Sequence, residues 1–121
     1  MIRTCLFAIL AIAVANTTLA ASSFDGTYRG TQRATLNNNS SDCANLNQEH
    51  MVVVVSDNKF VKHWGVATLP VDIAADGSFS ASVVVSNRPL RQAKITGKIT
   101  GSKLEADVGT DLCAGHLSLT R

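Results

Sequence analysis

The side chains best suited to chemistry are three histidines (His50, His63 and His116), two well-separated cysteines (Cys43 and Cys113), a single tryptophan in Lys62-His63-Trp64-Gly65, and a run of basic residues. A zinc site draws on His and Cys ligands held close together, and no histidine here has another at i+2 or i+4, so none is assigned as a metal ligand. Ser, His and Asp are plentiful, but a nucleophilic triad is recognised by geometry rather than abundance, and no Gly-x-Ser-x-Gly elbow is present. Gly97 to Lys103 has the outline of a phosphate-binding loop. It fails on spacing, because three residues separate the glycines where four are needed and Ser102 precedes Lys103 instead of following it. No catalytic residue, metal or cofactor is therefore assigned, and the chain reads as non-enzymatic.

Binding chemistry is better represented. Arg88, Arg91, Lys94, Lys98 and Lys103 follow one another between Gly77 and Leu104 with no acidic residue among them. If Lys94 and Lys98 point outward and Arg88 and Arg91 flank Pro89, four positive charges share one edge that could meet an anionic envelope component or an acidic protein surface. The plainer alternative is a solvated face answered in part by Glu105 and Asp107. Trp64 is ambiguous in parity, since Val61 and Val66 fall on opposite faces of one strand. Turned inward it caps the core; turned outward beside Lys62 it is a stacking platform or a protein-contact anchor. The candidate ligand-binding residues are thus Arg88, Arg91, Lys94 and Trp64.

The elements that must position these residues are strands. Valine, serine, threonine, alanine and glycine dominate, and the composition favours sheet. A two-residue turn at Gly101-Ser102 sets Thr100 against Lys103, Ile99 against Leu104, Lys98 against Glu105, Gly97 against Ala106, Thr96 against Asp107 and Ile95 against Val108. Every apolar or small residue then meets its like, and a slip of one residue would pair Ile with Glu. Around Ala75-Asp76-Gly77 the inward sets Leu69, Val71, Ile73 and Phe79, Ala81, Val83 align if the loop has three residues with Gly77 in a G1 bulge. Ser56 to Lys59 reads as a four-residue loop in which Asn58 takes positive φ. Pro70 and Pro89 are expected at strand starts or in loops.

Eight strands follow: Gly26–Leu36, His50–Val55, Phe60–Thr68, Val71–Ala74, Ser78–Ser86, Gln92–Thr100, Lys103–Gly109 and Leu112–Thr120. Short hairpins join most of them, which predicts an all-β antiparallel meander curled into a small barrel or sandwich. The long connection, Asn37 to Glu49, carries Cys43, and a disulfide to Cys113 would tie that loop to the final strand. Closing so long a loop is worth roughly 4 kcal/mol by chain entropy.

The amino terminus has the anatomy of a signal peptide, with Arg3 before the apolar run Cys5 to Ala15 and small residues at Thr18 and Ala20. Cleavage is placed after Ala20, with Ala21 as the alternative, which divides the chain into 1–20 and a single β domain, 21–121. The apolar run is about half of the roughly 20 residues a membrane span requires, so no transmembrane segment is expected after processing. Without Arg3 the chain holds ten Lys and Arg against nine Asp and Glu. That balance argues against a nucleic-acid partner.

The stretches Phe24-Asp25-Gly26-Thr27-Tyr28-Arg29-Gly30, Asp76-Gly77-Ser78-Phe79 and Cys113-Ala114-Gly115-His116-Leu117-Ser118-Leu119-Thr120-Arg121 resemble small exported β proteins of Gram-negative bacteria, a largely uncharacterised group. The resemblance implies a periplasmic or secreted setting and passes on no catalytic residue. Three roles are compatible with a stapled β scaffold: a binding or envelope-associated module, an inhibitor of a protease or lysozyme, and a lipocalin-like carrier of a small ligand. Size weighs against the last, since about eight short strands give an interior that the available Ile, Val, Leu and Phe side chains can fill.

Overall fold

The computed structural model describes residues 24–39 and 43–121; the expected signal peptide and its cleavage site lie outside the described residues. Eight antiparallel strands run in chain order as β1 (Gly26–Asn37), β2 (Gln48–Val55), β3 (Lys59–Trp64), β4 (Ala67–Asp72), β5 (Ser78–Asn87), β6 (Leu90–Thr100), β7 (Lys103–Gly109) and β8 (Cys113–Thr120). Six form one curled sheet in the order β2-β1-β8-β7-β6-β5, while β3 and β4 form a small sheet of their own. Because β2 leads into β3 by a tight turn and β4 packs on β5, the neighbours around the molecule are those of an up-and-down barrel. The ladder is interrupted at two seams, β2/β3 and β4/β5. The all-β meander expected from the sequence is thus a curled half-barrel completed by a two-stranded sheet.

Alternation builds the interior. On β7, Leu104, Ala106 and Val108 are buried and the residues between them are exposed. The β6–β7 register is the one the apolar pattern requires, from Thr100↔Lys103 to Ile95↔Val108. Gly101 has φ +60° and Ser102 does not share the left-handed region, as a II′ turn demands. At the β4–β5 corner, the Gly77 N–H donates to Ala74 O at 2.9 Å and the Ala74 N–H to Ser78 O at 2.9 Å, the bonding of a three-residue loop with a G1 bulge. Gly97 is needed for space: a Cβ there would lie 2.7 Å from the Phe79 ring and 2.3 Å from Glu105 O. Phe79 occupies that gap and meets Phe60 edge-on at 5.2 Å, which joins the large sheet to the small one.

Three local expectations are corrected. The single strand Phe60–Thr68 is broken by a turn at Gly65-Val66, where Gly65 takes φ +58°, and Trp64 pairs with Ala67. Pro70 lies inside β4, opposite Val61, rather than at a strand start. A strand of a two-stranded sheet has a free edge, where the missing proline N–H costs no ladder bond. The β2–β3 connection is a two-residue turn, Asp57-Asn58, with both residues at positive φ and Ser56 bridged to Lys59.

The two ends of the barrel differ. At one end the Asp25 carboxylate accepts the N–H groups of Asp57 and Asn58 at 3.1 and 3.2 Å, and Arg121 donates to Asp25 O at 3.0 Å while lying over the Tyr28 ring. Tyr28 is fully buried and donates its hydroxyl to Phe24 O at 2.7 Å. This end is closed by the chain itself. The opposite end, where Asn37, Trp64, Asn87 and Gly109 finish their strands, is where the cavity opens.

Candidate functional site

The wall of the open end begins with the 43–47 segment. A disulfide joins Cys43 to Cys113 at the start of β8, with Cα atoms 5.3 Å apart, and both sulfurs are buried beside Leu46. Side chains complete the attachment: Gln32 Nε2 donates to Leu46 O at 2.8 Å, the Ala34 N–H donates to Asn47 Oδ1 at 2.9 Å, and Arg33 forms a forked pair with Glu49. The 43–47 part of the connection is tied down by the disulfide as expected, and it forms one side of a cavity.

The opposite side is the tip of the β3–β4 hairpin. With Phe60 inward, alternation turns Lys62 and Trp64 inward as well. Trp64 is half-buried and packs against both the main core and the disulfide cluster, so it is a rim residue that bridges the mouth. Arg91 on β6 and Val85 on β5 complete the ring. The hollow between them is about 690 Å³ and opens to solvent, a size within the range of small-molecule sites.

Its polar lining is unusual. Lys62 is only 5% exposed, and its ammonium donates to His63 O at 2.7 Å. Among the described residues no carboxylate lies within ion-pair distance of it. Burial alone pushes its pKa down, because a desolvated ammonium loses hydration without gaining a counter-charge. Gln32 is 2% exposed; its amide nitrogen is engaged, but among the described residues Oε1 has no hydrogen-bond partner. A buried acceptor without a donor costs about 1–3 kcal/mol. Arg91 is better balanced, with Nε 3.1 Å from the Asp111 carboxylate.

Of the candidates read from the sequence, the fold brings Trp64 and Arg91 to this cavity and leaves the other two outside. Lys94 is exposed on the outer face of β6, and Arg88 sits in the exposed β5–β6 turn. The four-charge edge is therefore divided, because β6 begins at Leu90 and plain alternation sets Arg91 on the inner face with Ala93 and Ile95 while Lys94 points outside. Lys62 and Gln32 were not among the candidates. Strand parity marks them: Lys62 is two residues from Phe60, and Gln32 is four from Tyr28.

Elsewhere the chemistry is dispersed. His116 Nδ1 lies 2.9 Å from Asp107 on the outer face of β7 and β8, whereas His50 and His63 stand exposed on β2 and β3. Among the described residues no group of three or more His, Cys, Asp or Glu side chains is placed to hold a metal ion. A second hollow of about 690 Å³ runs along the outside of the β2/β3 seam beside Val52, Val54, Val61 and Pro70, and its buried lining is wholly apolar. The chain matches no family model, no curated protein and no solved structure. The site is accordingly read from its own geometry.

Proposed function

We propose that this protein is a non-enzymatic binding module of the cell envelope or the secreted fraction, and that its ligand is a small molecule held in the open end of the barrel. The observation that carries this reading is the pairing of a cavity of about 690 Å³ with two buried polar groups: Lys62, which bonds His63 O but faces no carboxylate, and Gln32 Oε1, which has no hydrogen-bond partner, both among the described residues. Buried polar groups are normally satisfied, and a ligand would satisfy these. The disulfide is consistent with an oxidising compartment. Native mass spectrometry of the processed protein, purified from its own envelope fraction, tests the proposal. A bound small molecule that is lost on unfolding is expected; a preparation that is uniformly free of ligand, and stays so when offered envelope metabolites, would refute it.

One observation favours inhibition of a hydrolase as a second reading. Val66 is fully exposed at the tip of the β3–β4 hairpin, on a tight turn backed by Trp64. An apolar projection of this kind suits the specificity pocket of a protease. Val66→Asp should abolish any inhibition found in a protease panel without lowering the melting temperature.

A further inference from the structure

The lining of the cavity specifies more than size. We propose that it takes a small organic anion with an apolar body and a hydroxyl or amide donor near its charged head, with Lys62 as the counter-ion and Gln32 Oε1 as the acceptor. This rests on the binding reading above and deepens it. Lys62 offers N–H donors beyond the one given to His63 O, and among the described residues no carboxylate faces it. Arg91 lends a second positive charge at the rim, moderated by Asp111. Gln32 cannot turn its amide to relieve Oε1 without giving up Leu46 O, to which Nε2 donates at 2.8 Å. An occupant that brings a donor to Oε1 would satisfy it. Leu46, Trp64, Ala67 and Val85 supply apolar walls for the rest of the molecule. A neutral lipid would leave the lysine uncompensated, and a simple inorganic anion would leave those walls wet.

Trp64 is the only tryptophan in the chain, so its fluorescence reports on this cavity alone. Titration of the disulfide-bonded protein with 2-hydroxyoctanoate, octanoate and 1,2-octanediol, each followed at Trp64, provides the test. Saturable binding is expected in the order hydroxy acid, acid, diol, with the charge contributing about tenfold or more, as for a hydrogen bond to a charged group. Lys62→Met keeps the volume and removes the charge. It should weaken the hydroxy acid by about the same factor and leave the diol unchanged, with circular dichroism confirming an intact fold. Equal binding of acid and diol, or an unaltered affinity in Lys62→Met, overturns the anion assignment while the cavity remains a binding site. Equal binding of octanoate and 2-hydroxyoctanoate removes Gln32 as the ligand's acceptor. No saturable response from any of the three refutes both the anion assignment and the small-molecule reading on which it rests.

Discussion

Lys62 stands in conflict between stability and recognition. Its ammonium is desolvated and lacks a counter-charge, so replacing it with an apolar side chain of similar length should stabilise the fold. Lys62→Met is expected to raise unfolding free energy by about 1 kcal/mol at neutral pH, measured by urea denaturation. The sign of the pH dependence follows from the lowered pKa. Below the folded-state pKa the lysine is charged in both states and the full burial cost applies. As pH rises from there toward the ordinary lysine value of about 10, the unfolded chain binds more protons than the folded one and the cost fades. The advantage of Lys62→Met should therefore shrink through that alkaline window; an advantage independent of pH would refute the assignment. Gly97 makes the opposite demand. Gly97→Val drives a side chain into the place held by the Phe79 ring and the β7 backbone, and should cost about 3 kcal/mol or more.

The elements show which parts of the sequence were legible and why. The β6–β7 hairpin could be read residue by residue because polar and apolar positions alternate without interruption through Lys98↔Glu105. The β3–β4 hairpin could not. Gly65-Val66 places a valine at a turn position fully open to solvent, and an apolar residue there looks like the continuation of a strand. Missing that turn left the facing of Trp64 undecided and hid Lys62, whose charge argues for solvent although its parity argues for the interior. Arg91 was obscured in another way: it was read as part of the connection around Pro89, whereas β6 already begins at Leu90 and its alternation puts Arg91 in phase with Ala93 and Ile95. The 43–47 segment depends on its covalent attachment. Cys43→Ala with Cys113→Ala removes a cross-link spanning a sequence separation of 70 residues, and should lower stability by roughly 4 kcal/mol. The same variant should lose the Trp64 response to ligand before it loses the β signal in circular dichroism, since Trp64 packs against the disulfide cluster.

At the scale of the whole molecule, the meander sets one closed end against one open end. The closed end gathers Asp25 just before β1, the Asp57-Asn58 turn and Arg121 just after β8 into one hydrogen-bonded plug, while every group proposed to meet the ligand lies at the other. Arg121→Ala should accordingly lower the melting temperature and leave the affinity measured at Trp64 unchanged, because it frays the plug without reaching the cavity. The two interrupted seams carry a further consequence. Between them β3 and β4 are bonded to each other but share no ladder with β2 or β5, apart from the Ser56–Lys59 bridge. This pair is held to the large sheet by the packing of Phe60, Leu69 and Val71 rather than by main-chain bonds, so its amides should exchange with deuterium ahead of those in β7 and β8. Since Lys62 and Trp64 belong to this pair, a ligand held between them and the large sheet should slow that exchange.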